Sequence, residues 1–368
     1  MKKQLLCTSA IALGVAAAAP ASAQDWDLDW GGFMSQHAAF IDSDVKFLGN
    51  TVAGFDFSGL ELHQTAEIIF TPSVTLDNGL TFGVNIQFEG QNGFSVDESY
   101  MSITSDTFGR LDIGAENSAG YKSMVGAPTV TSLWINSPSI STFIPVSASG
   151  ILPWTFRQSA ISSYTEVAGN NDVRRISYYT PSFNGLTIGV SYARDGNTNA
   201  GNNYNGGLDA NAMALSNVWD IGVKYSQSFG NADVNVGARY GEGDLVVGSA
   251  STWGIGASVG FGGFTIGGSY AENDNGAATG VGDNEGWSFG MTYDMAGPWA
   301  FEALTYQGET KLTPGGTTSD YTAYKIGASR DLGPGVDWDL YAVMAENGVS
   351  NILEVEGFAV GTAINLSF

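Results

Sequence analysis

The chain has 368 residues, with 14 Lys and Arg against 37 Asp and Glu, which gives a formal net charge of −23. Such a balance excludes a nucleic-acid partner, which would need clustered basic side chains. The mean hydropathy is +0.00, and beyond the N-terminal segment no stretch approaches the roughly 18 apolar residues of a transmembrane helix. Fifty glycines and 12% aromatic residues are typical of an all-β chain with many turns.

The N-terminal segment has the features of a secretory signal. Lys2 and Lys3 precede an apolar stretch, and Ala21-Ser22-Ala23 is the small-residue pattern that a signal peptidase cleaves. We therefore predict a signal peptide over residues 1–23 and a single exported domain over residues 24–368. Cys7 lies inside the signal, so we expect no thiol or disulfide in the mature chain.

Most of the remaining chain alternates between apolar residues and small or polar ones, the period of a β-strand. Comparable segments begin at Leu80, Leu186, Trp219, Val234, Trp253, Phe264, Trp287, Trp338 and Phe358. Their apolar faces carry no charge, and Trp, Tyr or Phe recurs at their ends, as expected of a lipid-facing band between two aromatic girdles. A soluble β-sandwich would explain the alternation but not the aromatic residues at both ends.

The connections alternate in length. Short turns are predicted at 77–79, 105–109, 182–185, 230–232, 262–263, 296–298 and 331–335. Longer polar loops are predicted at 42–59, 90–95, 117–173, 195–217, 241–251, 272–284, 308–320 and 347–355. These connections predict an all-β fold, a 16-stranded antiparallel transmembrane β-barrel with both termini on the short-turn side. The facing of the first strand, near 28–41, and of the thirteenth, near 299–306, is not predicted because their alternation is weak.

A barrel of this width encloses water unless something fills it. The third long loop, 117–173, carries three apolar clusters, 133–135, 143–145 and 151–156, which are expected to fold against protein rather than extend into water. We predict that this loop folds into the barrel and narrows it. The alternative is a loop that lies over the outer mouth or on a neighbouring subunit.

Several stretches resemble the general-diffusion porins of Gram-negative bacteria. They are Arg175 to Leu186, read as RISYYTPSFNGL, together with Phe108–Gly114, Asp331–Gly335 and the final Phe368. The resemblance implies a homotrimer in the outer membrane, surrounded by lipid and lipopolysaccharide, with one pore through each subunit. It also implies passive diffusion of small hydrophilic solutes through a constriction made by the third loop. The last strand with Phe368 resembles the signal that the outer-membrane assembly machinery reads.

The chain departs from that family at two places. Asp97 and Ala115 stand where family members often carry arginines on the wall that faces the constriction, and the Pro-Glu-Phe-Gly-Gly stretch of some third loops is absent. The family's constriction residues therefore do not transfer directly. The short loop 90–95 also argues against a long latch over the neighbouring subunit.

Strand alternation nevertheless predicts which charged residues line the pore. The predicted acids are Glu61, Glu67, Glu89, Asp97, Asp112, Glu116, Asp220 and Asp233; the predicted bases are Arg110, Arg175, Lys224, Arg239 and Lys325. Glu166 in the long loop is predicted to face the basic wall and to create a transverse field across the gap. Each charge is otherwise explained as a solvated wall residue away from the narrow point. Because acids outnumber bases, we predict a preference for cations.

Other kinds of site have weaker support. Asp274, Asp283 and Glu285, with Asp42 and Asp44, fall in predicted outer loops and are weak candidates for a structural Ca²⁺, although no spacing matches a calcium loop. No other cofactor is predicted. The glycine-rich run 254–260 lies within a strand and is not a nucleotide loop.

Catalysis is not predicted, because the chain has only two histidines, His37 and His63, and neither stands in a recognisable Ser/His arrangement. A substrate-specific channel for a sugar, phosphate or amino acid is the alternative to general diffusion. Such a channel usually needs an aromatic track or clustered arginines in the lumen, and neither is clear in the sequence.

Overall fold

The computed structural model describes residues 25–48, 50–51, 58–90, 95–133, 167–196, 215–276, 282–312, 314–349 and 352–368. Within these ranges, no helix has the length and apolar character needed to cross a membrane. The strands are β1 Trp30–Phe47, β2 Asn50–Thr51, β3 Gly59–Phe70, β4 Ser73–Thr75, β5 Thr81–Glu89, β6 Val96–Ser105, β7 Gly109–Glu116, β8 Val173–Tyr179, β9 Leu186–Asp195, β10 Leu215–Phe229, β11 Ala232–Leu245, β12 Ser249–Phe261, β13 Phe264–Asp274, β14 Asn284–Asp294, β15 Trp299–Lys311, β16 Thr318–Gly333, β17 Val336–Val349 and β18 Leu353–Ser367. A short helix, α1 (Ala119–Ser123), and a 3₁₀ turn, Val167–Gly169, lie in the long loop.

All strands belong to one antiparallel sheet that closes on itself. β1 pairs with β3 on one side and with β18 on the other, in register from Phe33 opposite Ser367 to Phe47 opposite Leu353. β3 and β4 both pair with β5 and form one wall strand, and β2 is a short arm on the end of β1. The wall therefore has sixteen strands, and the predicted barrel is confirmed.

The two faces of the wall differ as the alternation predicts. In β12, Trp253, Ile255 and Val259 point outward and are 40%, 51% and 46% exposed, whereas the intervening Thr252 and Ser258 are buried. Aromatic pairs mark both edges of the outward band, which is the lipid-facing surface. These pairs are Trp219–Tyr240 and Trp253–Tyr270 at the loop side and the stacked Phe264–Tyr293 at the turn side.

The two strands without a predicted facing have apolar residues on both faces. In β1, Ala39, Ile41 and Val45 point inward, and in β15 Leu304 and Tyr306 do so; all five are buried. They belong to one cluster that also contains Ala127 and Leu133 of the long loop. The inner wall is apolar in this sector because the loop packs against it. Since both faces of these strands are apolar, their sequences show no alternation of apolar and polar residues.

Several strands are longer than predicted. Asp42 and Asp44 lie in β1, Asp274 is the last residue of β13, and Glu285 is the second residue of β14, so only Asp283 of these acids lies in a loop. The placement of the other four in loops was wrong. Acidic residues resemble loop residues in a sequence, but an outward-facing carboxylate beyond the aromatic girdle can remain on a strand.

Outward-facing acids at the loop end of β13–β16, and of β17, β18 and β1, form two runs that we call the carboxylate belt. Direct cross-strand pairs join Glu272 to Glu285, Glu285 to Glu309, Glu309 to Asp320, Glu346 to Glu356, and Glu356 to Asp44. Trp253 lies opposite Glu272, which places the belt at the level of the loop-side aromatic pairs. Like charges that face each other directly across a strand pair are destabilising, so this belt has a cost in stability.

Candidate functional site: the lumen and the long loop

The first part of the long loop, residues 117–133, follows the inner face of the wall. The Ser118 side chain accepts a hydrogen bond from the Tyr121 N–H at 3.1 Å and caps α1. The Ala119 N–H donates to Ser191 Oγ of β9 at 2.7 Å, and the Ala127 N–H donates to Ser288 Oγ of β14 at 3.2 Å. This segment therefore lies inside the barrel and crosses from β9 towards β17.

Glycines on three neighbouring strands make room for the loop. A Cβ atom at Gly222 would lie 2.3 Å from Ser123 Oγ, and one at Gly237 would lie 2.3 Å from the Ser123 carbonyl oxygen. A Cβ atom at Gly256 would lie 1.7 Å from the Val125 carbonyl oxygen. Any larger residue would displace the loop, which gives the glycines of the run 254–260 a packing role.

The end of this segment is held by three charged side chains of the wall, Glu302 of β15, Lys325 of β16 and Asp339 of β17, which we call the loop clamp. Glu302 accepts hydrogen bonds from the Val130 N–H and the Thr131 hydroxyl, each at 2.7 Å.

The other two members of the loop clamp hold the same stretch. Lys325 Nζ donates to Thr131 Oγ1 at 3.0 Å and to the Leu133 carbonyl oxygen, and it lies 2.9 Å from Glu302 Oε1. Asp339 accepts from the N–H and the hydroxyl of Ser132, both at 2.8 Å. Of the three, only Lys325 was predicted as a wall residue. Glu302 and Asp339 were missed, Glu302 because the facing of its strand was unknown.

Other predicted pore charges also lie under the loop. Asp220 and Arg239 form a buried ion pair beneath α1, and a Cβ atom at Gly120 would collide with Asp220. Arg175 is buried and donates to the Asn170 carbonyl oxygen at 2.8 Å. The register places these side chains on the inward face, yet the loop separates them from the lumen.

Glu116 is also buried, and it is paired with Lys122 of α1 at 2.5 Å. Burial alone would lower the pKa of Lys122, but the nearby Glu116, Tyr179 and Glu98 outweigh it and raise the pKa above its ordinary value. Lys122 is therefore a fixed positive charge at the root of the loop.

A second group of predicted charges is partly exposed on the opposite side of the lumen, on β3, β5 and β6. Glu67 lies directly opposite Glu89, and Glu61 lies six residues before Glu67 on the same face of β3. The register shifts between Ile86 and Phe88, so Asp97 and Glu98 share the position opposite Gln87. We call Glu67, Glu89 and Asp97 the acidic lobe.

The register shift also brings Glu98 into the site, a residue that the alternation missed. Its carboxylate accepts from the Gln87 side chain at 3.0 Å and from the Asn117 side chain at 2.8 Å, so it connects the wall to the root of the loop. The signal in the sequence was the consecutive pair Asp97-Glu98 at the start of a strand, where strict alternation fails.

Positive charge approaches the lumen at β7 and at the turn side. Arg110 Nε lies 2.7 Å from Asp112 Oδ1, and both Arg110 and Lys122 lie over the ring of Tyr100, at 5.9 and 4.9 Å from its centroid. Asp112 is buried by this contact. Lys224 is exposed on the inward face of β10, and Asp233 accepts from Ser228 near the turn.

Two of the weak metal candidates accept hydrogen bonds from backbone N–H groups. Asp283 Oδ1 accepts from the Asn275 N–H at 2.9 Å, and Asp274 Oδ1 accepts from the Gly276 N–H at 2.8 Å. Within the ranges that the structure describes, no three His, Cys, Asp or Glu side chains are grouped as metal ligands.

The two histidines of the chain lie near each other on the inner wall. His37 Nδ1 lies 3.1 Å from the Tyr341 hydroxyl, and its ring centroid lies 5.9 Å from that of His63.

Glu166 and residues 134–166 of the long loop, with their apolar clusters, lie outside the described residues, and so does the predicted signal peptide. The prediction of an inward fold for that stretch of the loop stays a prediction. The structure shows that residues 117–133 and residues 167–172 lie on the same inner wall.

A closed barrel of sixteen strands with an apolar outer band and a polar inner face defines a membrane channel protein. A family model described as Gram-negative porin matches residues 8–351, so the chain belongs to the Gram-negative porin family. Family and fold point to a channel of the outer membrane rather than to an enzyme. A search of curated proteins gave no match.

Solved structures share the fold at low sequence identity. OmpT of Vibrio cholerae, in a trimer form, is 11% identical with a TM-score of 0.60 over 93% of this chain and 99% of that chain. An anion-selective porin from Comamonas acidovorans is 17% identical with a TM-score of 0.59, covering 94% and 100%. A triple mutant of the Rhodopseudomonas blastica porin is 15% identical with a TM-score of 0.55, covering 93% and 100%.

Proposed function

We propose that this channel allows the passive diffusion of ions and small hydrophilic solutes and that it prefers cations. The supporting observation is which of the inward-facing charges remain exposed to the lumen and which are buried. Among the predicted pore charges that the structure describes, Glu61, Asp233 and the acidic lobe keep partial exposure, whereas only two bases, Arg110 and Lys224, do. The other bases, Arg175, Arg239 and Lys325, are buried, as are the acids Asp112, Glu116 and Asp220. A permeating ion therefore meets more negative than positive wall charge, and a field of this sign concentrates cations.

We further propose that the whole long loop folds into the barrel and forms the constriction. Both of its described ends support this arrangement. Asn117 Nδ2 donates to Asp172 Oδ1 at 2.8 Å, so the two ends meet at the inner wall. Val167 is buried, and a Cβ atom at Gly241 of β11 would lie 2.8 Å from its side chain.

Solute flux through the purified protein in liposomes tests general diffusion. For a series of neutral sugars of increasing size, we expect the rate of swelling to fall smoothly with size, because a wide wet pore discriminates mainly by diameter. Saturation by one solute, with competition from its analogues, would instead support the substrate-specific channel. Neither outcome needs a cofactor, and we propose no catalytic step.

We also propose that the protein assembles as a homotrimer in contact with lipopolysaccharide. The carboxylate belt faces outward at the loop side, where the phosphates of the outer leaflet would lie. Two anionic surfaces can approach only with cations between them, so bound divalent cations would lower the repulsion within the belt as well.

Export and assembly are the remaining part of the proposal: a cleaved signal over residues 1–23, and recognition of the last strand by the assembly machinery. Phe368 suits recognition because its ring is 72% exposed while its backbone pairs with Gly32 in both directions, at 3.0 and 3.1 Å. A partner could contact the ring without opening the sheet.

Phe368→Ala is therefore expected to remove most of the protein from the outer membrane of cells while leaving refolding in detergent unchanged. Quantification of the heat-modifiable barrel band in membrane fractions measures the first effect. Leu366→Ala, on the outward face two residues earlier, is the matched control and should be assembled normally. Equal loss for both variants would show that strand stability, not recognition of the terminal ring, is responsible.

A further inference from the structure

Residues 129–133 of the long loop contact the three charged side chains of the loop clamp, and all three are buried. We propose that Lys325 is a positioning residue of the channel, which fixes these five residues against β15–β17 and thereby sets the free cross-section of the pore. This inference rests on the proposed channel function.

The geometry of the ammonium group carries the argument. Lys325 Nζ has acceptors at Thr129 Oγ1, 3.2 Å away, at Thr131 Oγ1, at the Leu133 carbonyl oxygen and at Glu302 Oε1. An ammonium has three hydrogens, so its acceptors in the loop and on Glu302 already use its full donor capacity. Lys325 is also only 1% exposed. Its hydrogen bonds therefore hold the loop and Glu302, and none is left for a solute in the lumen.

The two carboxylates of the clamp hold the other side of this stretch of loop, and one of them, Glu302, is paired with that ammonium. Glu302 accepts hydrogen bonds from Thr129, Val130 and Thr131, and Asp339 accepts one from the Ser132 N–H. Gly327, directly opposite Glu302, leaves the space that Glu302 and Thr131 occupy, since a Cβ atom there would lie 2.4 Å from Glu302 Oε1. The wall is thus shaped to receive this stretch of loop. Lys325 is the cation paired with the buried Glu302, and Asp339 accepts hydrogen bonds from Ser132 and Asn365.

Replacement of Lys325 by methionine keeps most of the length of the side chain and removes the cation. Glu302 then becomes a buried charge without its partner, and the carboxylate is stabilised by moving into water, which releases the loop from the wall. In the double variant Glu302→Gln with Lys325→Met both charges of the ion pair are removed together, and the amide oxygen at position 302 can still accept from Val130 and Thr131. Asp339 keeps its hydrogen bonds from Ser132 and Asn365. The double variant should therefore resemble the wild type more closely than the single variant does.

The test uses the full-length protein in liposomes and planar bilayers. For Lys325→Met we expect a rise in the ratio of large to small neutral sugar permeation and a loss of steady single-channel conductance. Neutral sugars are chosen because their ratio does not respond to a changed wall charge. Partial return of both readouts in the double variant is the expected signature of positioning, since a merely weakened barrel would not recover.

Lys46→Met is the matched control, because Lys46 makes its ion pair with Glu356 at the outer end of the barrel, away from the loop. If Lys325→Met does not fold, Thr131→Val removes the hydroxyl that contacts both Glu302 and Lys325 without changing a charge, and it should raise the same ratio. A folded variant with the sugar ratio and conductance of the wild type would overturn the inference. Absence of conductance in the wild type would overturn the proposed function instead.

Discussion

Replacing Val223 by lysine is expected to cause the largest loss of folded barrel among simple substitutions. Val223 points outward from the middle of β10, between Trp219 at the loop side and Tyr225 and Phe229 at the turn side. A lysine at the bilayer midplane costs about 2–4 kcal/mol, and each 1.4 kcal/mol is a factor of ten, so the folding equilibrium should fall by roughly 30- to 900-fold. Urea titration of the barrel in lipid vesicles, followed by the heat-modifiable gel band, measures the change.

The chain offers its own comparison for this prediction. Lys224, the next residue, points into the lumen, where a charge is hydrated. Ser226→Lys places a new lysine on that same inward face and is the matched control, with little expected effect on stability. Equal stability of the Val223→Lys and Ser226→Lys variants would contradict the assignment of the apolar face to lipid, and with it the orientation of every wall strand.

Neutralising the acidic lobe is expected to have the largest effect on selectivity. The triple variant Glu67→Gln, Glu89→Gln and Asp97→Asn keeps the size and shape of each side chain while removing three negative charges from one side of the lumen. Because a wall potential of several kT concentrates counter-ions exponentially, we expect the ratio of cation to anion permeability to fall by about tenfold. Reversal potentials in a potassium chloride gradient give this ratio directly.

A second triple variant separates the lobe from the overall charge of the protein. Asp42→Asn, Asp44→Asn and Glu346→Gln also remove three negative charges, but from outward-facing positions at the loop end of the wall. Those charges are outside the lumen and should change the reversal potential little, especially at high salt. An equal shift from both triple variants, or an anion preference in the wild type, would contradict the proposed cation selectivity.

Strand number and facing could be predicted because lipid imposes a strict two-residue period. Val223 beside Lys224, and Ile255 between Gly254 and Gly256, show how sharply one position differs from the next. The period failed in β15, where Leu304 and Tyr306 point inward and are buried against the loop. A strand that meets lipid on one face and the apolar loop on the other has apolar residues on both faces, so its facing had to come from the structure.

The pore charges were predictable in direction but not in environment. Alternation placed Arg239 and Lys325 on the inward face alongside Glu67 and Glu89, yet it could not separate those beneath the loop from those beside water. That separation depends on the path of residues 117–133, which is set by close approaches such as that of Val125 to Gly256 and by the hydrogen bonds of Glu302. These contacts do not recur at a regular spacing along the chain, so the sequence pattern does not reveal them.

The seam between β1 and β18 has a consequence for how the chain can enter a bilayer. It joins positions as distant as Lys46 and Glu356, 310 residues apart. Until this last pairing forms, β1 and the strand at the other edge of the open sheet both have unpaired backbone N–H and C=O groups. Such groups are energetically costly in the hydrocarbon of a bilayer. A partly inserted intermediate would therefore be unstable. We expect the barrel to insert cooperatively, as one unit, only once β18 is available to pair with β1.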